Sequence, residues 1–290
     1  SESLRKVLLA AARDIRALLI KICDKVVNLR ELQYLSPSER KRIAKESIDI
    51  YAPLAYRLGI GRVKSEIEDL AFKYLDEDNY KKIEDKVNSI RQEGEKLIFK
   101  VKVFLEKELE KEGVKATVQA RVKHIYGIYK KVIDRSYDLN NMSDIIGFRV
   151  IVDNLDNCYK AVKVIHSNFR PVPNKFKDYI SMPKPNGYQS LHTSVVDDVG
   201  RIFEVQIRTD EMDRISEEGI AAHFAYKKMA SGEEFDKKLN WLKQLVEAKD
   251  LGSFDIDFFG DEVFAFTPKG KVVELPKDSC ALDFAYVVHT

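Results

Sequence analysis

The spacing of apolar residues divides the chain into a helical first part and a later part that mixes strands with helices. Up to about residue 112, apolar positions recur at helical intervals. The stretch Ser36-Pro37-Ser38-Glu39 combines a capping serine, a proline at the first helical position and a glutamate at the third, so a helix is predicted to begin there. Gly59-Ile60-Gly61 interrupts the next helix and starts another. A long charged helix is predicted over residues 76–112, ended by Gly113.

After Gly113 the periodicity changes to one that favours strands. Residues 145–152 form a nearly continuous apolar run, which is typical of a central strand covered on both faces. Residues 191–196 and 201–208 are separated by Asp197-Asp198-Val199-Gly200, and this arrangement predicts an antiparallel hairpin. The pattern also predicts a strand at 114–122 and helices at 124–132, 155–168, 210–229 and 234–249.

The second strand of that hairpin carries polar residues on one face. Apolar residues at 203, 205 and 207 alternate with Glu204, Gln206 and Arg208, and side chains two positions apart in a strand point to the same face. We therefore expect these three polar side chains to form the floor of a binding site.

The last part of the chain predicts a further small unit. Residues 263–266 and 272–275 flank Thr267-Pro268-Lys269-Gly270, which has proline and glycine where a tight turn favours them, and an apolar stretch over 281–289 predicts a helix. Together the patterns predict an α+β chain. An all-α helical region comes first, a mixed β-sheet domain flanked by helices follows, and the chain stops within a small β unit.

Composition narrows the class of protein. The chain has 290 residues, of which 44% are hydrophobic and 33% charged, and no apolar run is long enough to cross a membrane. Its three cysteines, Cys23, Cys158 and Cys280, are odd in number and far apart, which indicates a reducing cytoplasm and argues against a disulfide framework or a zinc site.

The charge is distributed unevenly along the chain. The net charge of +2 is too small for a protein that coats nucleic acid, so direct binding to DNA is not expected. Residues 121–190 nevertheless contain a clear excess of Lys and Arg over Asp and Glu. This basic middle suits a small polyanionic ligand, although a solvated basic face explains the charge equally well.

Two acidic residues suggest a metal-dependent chemistry within this basic segment. Asp144 stands where the central strand is predicted to begin and Glu204 lies in a strand predicted to be its neighbour, so the two carboxylates can share a magnesium ion. A carboxylate at such a position is more often structural, and the basic surroundings are what favour the metal. Asn186-Gly187 follows two prolines and predicts a tight turn that exposes Tyr188 as a stacking surface.

Longer motifs carry a more specific resemblance. Residues 121–131, 144–152, 169–193 and 204–209, followed by Gly219-Ile220-Ala221-Ala222-His223, resemble the synthetase domain of the Rel/SpoT family of (p)ppGpp synthetases. The resemblance divides the chain into the last helices of a hydrolase domain, a connecting helix, a full synthetase domain, a linker helix and the opening of a β-grasp TGS domain. The respective bounds are 1–75, 76–113, 114–235, 236–260 and 261–290.

The resemblance implies both a reaction and a set of site residues. A nucleotidyltransferase-like mixed sheet would transfer pyrophosphate from ATP to the ribose 3′-hydroxyl of GDP or GTP, with Mg²⁺, and release AMP. In this family pattern Asp144 and Glu204 bind the metal, and Glu204 also serves as the base. ATP would be held by Arg121 and Arg149, which sandwich the adenine, and by Lys123 and Lys131 at the phosphates. The guanine nucleotide would be held by Tyr188, which stacks on the base, and by Lys177, Lys184, Asn186, His192 and Gln206.

The same resemblance argues against hydrolysis by this chain. The family's hydrolase needs a His, a His-Asp pair and a later Asp around manganese, and only the last has a counterpart here, Asp24. Asn28 matches a substrate-contacting position, whereas Val27 and Glu31 stand where the family usually has His and Thr. One ligand of four cannot hold the ion. Contacts with the ribosome or other regulators are expected through regions beyond this chain.

Two other functions remain open from the sequence. The chain can be a catalytically silent module that senses nucleotides or associates with the ribosome, or it can transfer AMP to a protein or an RNA, because such sheets serve several chemistries. Formation of AMP and ppGpp would distinguish a pyrophosphokinase from the silent module. The position of a radiolabel in the product would distinguish a pyrophosphokinase from an enzyme that transfers AMP.

Overall fold

A computed structural model of the chain describes residues 15–135, 145–184, 186–219, 262–266 and 272–276, with Cys280, Leu282 and Ala285. By its contacts the chain divides into two compact units. One unit contains Arg16–Phe235, and the other contains Ser1–Ile15 with Asp236–Thr290.

The first half of the larger unit is helical, as predicted. It consists of α1 (Ile15–Arg30), a 3₁₀ turn (Leu32–Tyr34), α2 (Pro37–Glu46), a π-helical turn (Ser47–Tyr51), α3 (Ala52–Arg57), α4 (Gly61–Leu75) and α5 (Glu77–Lys111).

The predicted capping signals are confirmed. The Ser36 side chain accepts a hydrogen bond from the Glu39 amide, and the Glu39 carboxylate accepts one from the Ser36 amide, so the reciprocal capping box starts α2. The long connecting helix α5 runs for 35 residues, capped at its start by Asp76. Gly113 follows it with φ 72°, a conformation that glycine adopts without strain.

The second half builds one mixed sheet. Its elements are β1 (Ala116–Val122), α6 (Ile125–Arg135), β2 (Ile146–Val152), α7 (Leu155–Asn168), β3 (Arg170–Pro171), β4 (Lys177–Asp178), β5 (Leu191–Val196), β6 (Ile202–Thr209) and α8 (Asp210–Glu218). The strand order is β1-β2-β6-β5-β3, with β4 also paired to β5. β2 and β6 are parallel and the other pairs are antiparallel. The predicted central strand and the predicted hairpin are both confirmed.

The two faces of this sheet differ in character. One face packs against α5 and α7 in a buried apolar core, to which the strands contribute Val118, Phe148, Val150, Val152, Leu191, Val195, Phe203, Val205 and Ile207. Side chains alternate between faces along a strand, so the intervening polar residues of β1, β2, β5 and β6 lie together on the opposite face.

A second apolar cluster joins three helices beside the sheet. Phe72 of α4 lies with its ring centroid 4.4 Å from that of Tyr129 and 5.4 Å from that of Tyr126, both on α6. The buried centre of the cluster also contains Ile83 and Val87 of α5, Ile128 of α6 and Ile145. α4, α5 and α6 are therefore packed as one body.

The helix predicted over 210–229 does not run unbroken. α8 ends at Glu218, Gly219 follows with φ 54°, and residues 220–229 lie outside the described part of the chain. Gly219 packs directly against the turn between α3 and α4, where a Cβ atom on it would lie 2.2 Å from the Leu58 carbonyl oxygen. The glycine itself is a local signal for the end of a helix, and its close approach to a distant segment is not visible in the sequence.

The smaller unit contains the predicted second hairpin. β7 (Glu262–Phe266) pairs antiparallel with β8 (Val272–Pro276), which confirms the prediction. The helices predicted over 234–249 and 281–289 lie outside the described residues or almost entirely so.

We predict that Gly219→Ala destabilises the protein more than Gly200→Ala does. Both glycines have positive φ, but a Cβ on Gly200 would meet nothing within 4 Å. Gly200→Ala should therefore cost only backbone strain, about 1–2 kcal/mol. Gly219→Ala should add a clash worth about 1–3 kcal/mol. Urea unfolding of both variants measures the difference, and equal losses would contradict the packing described for Gly219.

Candidate functional site

A pocket opens on the polar face of the sheet, where β1, β2 and β6 run side by side. It is lined by Arg121, Lys123, Gly147, Phe148, Glu204 and Gln206. Arg121 pairs with Gly147 across β1 and β2, and Gly147 pairs with Glu204 across β2 and β6. The three residues therefore form one row, with a glycine in the middle.

Gly147 makes room for this row. A Cβ atom at position 147 would lie 2.7 Å from the Glu204 carbonyl oxygen and 3.6 Å from the Glu204 Cβ. Glycine inside a strand commonly marks such a close approach. Because glycine carries no side chain, the Arg121 guanidinium and the Glu204 carboxylate can approach each other above it.

The Glu204 carboxylate lies among donors and cations. Its Oε1 accepts a hydrogen bond from Gln206 Nε2 at 2.8 Å and lies 4.0 Å from Arg121 Nη1. Burial alone would raise the pKa of this carboxyl, but the Gln206 hydrogen bond and the charges of Arg121 and Lys123 together lower it below its ordinary value. Glu204 is therefore ionised at neutral pH.

His192 connects Glu204 to Tyr188. The Tyr188 hydroxyl lies 2.7 Å from His192 Nε2, and His192 Nδ1 lies 3.7 Å from Glu204 Oε1. Burial lowers the pKa of His192 to about 4, so the ring is neutral at physiological pH. Burial also raises the pKa of Tyr188, so the phenol keeps its proton. We assign the phenol as the donor to Nε2, which leaves the imidazole proton on Nδ1, toward the carboxylate.

Tyr188 follows the predicted tight turn. Gly187 has φ 81°, and its amide donates to the Lys184 carbonyl at 2.8 Å. The ring itself is half-buried and contacts Tyr179 at 6.1 Å between centroids. On another side the Arg208 guanidinium carbon lies 5.8 Å from its centre. The turn is confirmed, and the tyrosine is less exposed than the sequence suggested.

Two of the expected acceptor lysines gather around Tyr179. Lys184 Nζ lies 4.8 Å and Lys177 Nζ 6.0 Å from the centre of that ring. Contacts of this kind place a cation against the negative face of an aromatic ring. Both lysines therefore stand beside Tyr188 and His192.

Asn186 attaches this loop to the helical region. Its side-chain oxygen accepts from the Tyr188 amide at 3.2 Å, and its side-chain nitrogen donates to the Tyr56 carbonyl of α3 at 3.2 Å. These two bonds together hold the loop that carries Tyr188 against α3.

Arg149 faces α8 in this structure. Its Nη2 lies 2.7 Å from Glu217 Oε1 and its Nη1 3.2 Å from Asp213 Oδ1. The same two carboxylates pair with Arg208, which is only 1% exposed. The face predicted to be the site floor is therefore open at Glu204, while α8 covers it at Arg208.

The remaining expected residues are placed as follows. Lys123 lines the pocket, and its amide donates to the Ile145 carbonyl at 2.9 Å. Lys131 lies on α6 and is half-buried. Asp144 lies outside the described residues, so its pairing with Glu204 stays a prediction. Asp24, the one hydrolase counterpart, is exposed and pairs with Lys21 at 2.9 Å.

The described residues offer a limited set of metal ligands. Among them no three His, Cys, Asp or Glu side chains converge as a metal site. Glu204 is an ionised oxygen ligand on an open pocket, and Mg²⁺ characteristically takes one or two carboxylates together with substrate phosphates. The donor chemistry of Glu204 therefore fits this ion.

Comparison with known proteins places the chain in a family. The profile described as "Region found in RelA / SpoT proteins" matches residues 120–231, an HD domain profile matches 1–61 and a TGS domain profile matches 263–290. The GTP pyrophosphokinase of Myxococcus xanthus is 44% identical over 299 residues, which cover all of this chain and 40% of that protein. The chain belongs to the Rel/SpoT family.

Other relatives point the same way and differ in their named activities. The bifunctional (p)ppGpp synthase/hydrolase SpoT of Escherichia coli is 41% identical over 300 residues, covering all of this chain and 43% of that protein. This Rel/SpoT chain thus spans about two fifths of the length of the curated relatives named here. The crystal structure of small alarmone synthetase 1 from Bacillus subtilis aligns with 56% of this chain and 91% of its own, at 22% identity and a TM-score of 0.41.

No helix among the described residues of this Rel/SpoT chain has both the length and the apolar character needed to cross a membrane.

Several residues that shape the pocket were missed by sequence reasoning. Gly147 interrupts an apolar strand, which is a detectable sign of close backbone approach. Tyr179 stands two residues after the predicted Lys177 and was not assigned a role. The pairing of Arg149 and Arg208 with α8 depends on contacts between separate elements, and an Asp and a Glu four positions apart on one helix are its only local sign.

We predict that the His192 imidazole titrates near pH 4 in this Rel/SpoT chain. Tyr188→Phe removes the donor that stabilises the neutral ring and should raise that pKa. Because the unfolded chain takes up the proton first, the free energy of unfolding should fall as the pH drops from about 6.5 to about 4. NMR of the ring Cε1–H in both proteins measures the shift. Titration of the unmodified protein near pH 6.5 would contradict the buried, neutral ring.

Proposed function

We propose that the pocket between β1, β2 and β6 is the active site of a pyrophosphokinase that transfers pyrophosphate from ATP to the 3′-hydroxyl of GDP or GTP. The observation that carries the proposal is the row Arg121–Gly147–Glu204, in which an ionised carboxylate lies 4.0 Å from a cation at the edge of a pocket. The names of the curated relatives, a pyrophosphokinase and a bifunctional synthase/hydrolase, support it.

The division of the chain follows the same proposal. We assign residues 1–75 to the end of a hydrolase domain, 76–113 to a connecting helix and 114–235 to the synthetase domain, with a linker at 236–260 and a TGS domain beginning at 261. The three profile matches, to 1–61, 120–231 and 263–290, support these assignments.

ATP would lie over β1 and β2. Arg121 and Arg149 belong to the same sheet face, two register positions apart, and would stack on the adenine. Asp213 and Glu217 hold Arg149 through its nitrogen atoms, which fixes the guanidinium plane and leaves its faces for stacking. Lys123 and Lys131 would bind the phosphates.

The guanine nucleotide would lie beside β5 and β6. Tyr188 would stack on the base, and its position is held by the Asn186 turn and the His192 hydrogen bond. The cations near Tyr179 would bind the acceptor phosphates. The residues assigned to this side are Tyr188, Lys177, Lys184, Asn186, His192 and Gln206.

In the proposed reaction Glu204 accepts the proton of the ribose 3′-hydroxyl. The 3′-oxygen would form a bond to the β-phosphorus of ATP while the bond from that phosphorus to the oxygen of the α-phosphate breaks, and AMP leaves with that oxygen. The hydroxyl proton passes to Glu204. In the protein alone, cations hold the pKa of this carboxyl low, but bound phosphates would offset their charge and raise its proton affinity.

A divalent ion would complete the site. Asp144 and Glu204 would hold Mg²⁺, which when bound neutralises charge on the phosphate oxygens during transfer.

A direct assay tests the proposal. The 290-residue chain is incubated with ATP, GDP and Mg²⁺, and the products are separated. Formation of AMP and ppGpp in equal amounts supports the proposal. Nucleotide binding without AMP would instead favour a silent sensing module.

We predict that Glu204→Gln abolishes transfer and reduces ATP binding only modestly. The amide cannot accept the hydroxyl proton and is a poor magnesium ligand. Glu218→Gln, at the exposed end of α8, is the matched control and should retain activity. AMP formation and the Kd for an unreactive ATP analogue are measured in both. Turnover retained in Glu204→Gln would remove this residue from the role of base.

We predict that Tyr188→Ala weakens guanine nucleotide binding far more than ATP binding. Loss of base stacking should cost about 1–3 kcal/mol. Tyr188→Phe keeps the ring and loses only the hydroxyl that bonds His192, so it should retain most of the affinity. Calorimetric titration with each nucleotide measures both variants. Equal losses for GDP and ATP would contradict the assignment.

A further inference from the structure

The start of α6 is capped by a residue from a distant helix. Asp69 of α4 accepts hydrogen bonds from the Tyr126 amide at 2.8 Å and from the Ile125 amide at 3.2 Å. The first amides of a helix have no partner within it, and the cap usually comes from the residue just before the helix. Here His124 occupies that place, so α4 supplies the cap instead.

Glu68, next to this cap, holds His124. Its Oε2 lies 2.8 Å from His124 Nε2 and 2.8 Å from Lys64 Nζ, and the residue is only 7% exposed. The opposite side of the imidazole rests on Gly127, where a Cβ atom would lie 2.6 Å from the ring. A carboxylate buried this deeply needs both partners, because an unpaired charge would be costly.

These contacts fix the turn that leads from β1 into α6. Lys123 stands in that turn and lines the pocket, and Arg121 precedes it by two residues. Lys131 lies further along α6. The contact of Phe72 with Tyr129 at 4.4 Å between ring centroids adds apolar packing between the same two helices. The cations on the ATP side of the pocket are therefore placed by α4.

The residues proposed to bind the guanine nucleotide are positioned by contacts that do not involve Glu68 or Asp69. Asn186 donates to the Tyr56 carbonyl of α3, and Tyr188 bonds His192 within the same domain. A change in the α4 contacts should therefore weaken the binding of ATP and leave the binding of the guanine nucleotide unchanged.

We propose that Glu68 and Asp69 are positioning residues for the ATP subsite. They do not contact the nucleotide, and they act by fixing the β1–α6 turn. The inference rests on the proposed function, because it takes Arg121, Lys123 and Lys131 as ATP ligands. Both residues lie between the matched regions 1–61 and 120–231. The proposal therefore assigns to the synthetase site two residues of α4 that neither profile covers.

The test compares two helix caps in the full 290-residue chain. Asp69→Ala removes the cap of α6. Asn154→Ala removes the cap of α7, where Asn154 Oδ1 accepts from the Asn157 amide at 2.9 Å, and α7 carries none of the proposed nucleotide ligands. Both should lower the Tm by about 2–4 °C. Calorimetry with Mg²⁺ then measures the Kd for an unreactive ATP analogue and, separately, for GDP.

Asp69→Ala should weaken the ATP analogue about fivefold, the full effect of one lost cap, and change GDP binding less than about twofold. Asp69→Asn, which keeps one acceptor oxygen, should recover part of the loss. Asn154→Ala should leave both affinities unchanged. Glu68→Gln, which keeps the hydrogen-bond geometry and removes the charge, provides the same comparison if Asp69→Ala does not fold.

Two outcomes would overturn the inference, and a third would contradict the proposed function. Unchanged ATP binding in a destabilised Asp69→Ala would overturn the inference and leave the proposed function standing. Equal weakening of ATP and GDP would show a purely structural role, which also overturns it. Failure of the unmodified chain to bind the ATP analogue would instead contradict the proposed function itself.

Discussion

The parallel pairing of β2 with β6 is the constraint on which the rest of the site depends. The register sets Gly147 opposite Glu204, and the antiparallel pairing of β1 sets Arg121 opposite Gly147. A shift of β6 by one residue against β2 would turn every side chain of β6 to the other face. It would place Glu204 in the apolar core and Val205 at the pocket. The buried alternation of Phe203, Val205 and Ile207 therefore protects the position of the carboxylate as well as the core.

Charges attach α8 to this sheet, together with Met212, which packs against the apolar core. None of the residues of α8 is buried, whereas Arg208 beneath it is 1% exposed and pairs with Asp213 and Glu217. Such clusters contribute little net stability, but removing one partner leaves a buried charge and costs about 3–5 kcal/mol. The same ion pairs fix Arg149 and also Arg208, whose guanidinium lies against the Tyr188 ring. Both proposed stacking surfaces therefore depend on one group of ion pairs.

Local signals were readable from the sequence, and contacts between distant segments were not. The capping box at Ser36, the end of α5 at Gly113 and the hairpin of β5 and β6 each follow from a few neighbouring residues, and all were predicted. The cap that Asp69 supplies to α6, the packing of Gly219 against Leu58 and the burial of Arg208 each depend on a partner in another element. The π-helical turn at Ser47–Tyr51 was also missed, although Pro53, which has no amide hydrogen to donate, stands just after it.

The proposed reaction requires Glu204 to face the reacting 3′-hydroxyl. A crystal structure of the chain with an unreactive ATP analogue, GDP and Mg²⁺ shows whether it does. We expect a Glu204 carboxylate oxygen within about 2.6–3.2 Å of the ribose 3′-oxygen, or one bridging water away from it. A complex in which both nucleotides are bound while Glu204 stays turned toward Gln206 and His192, with the 3′-oxygen directed at another residue, would contradict it.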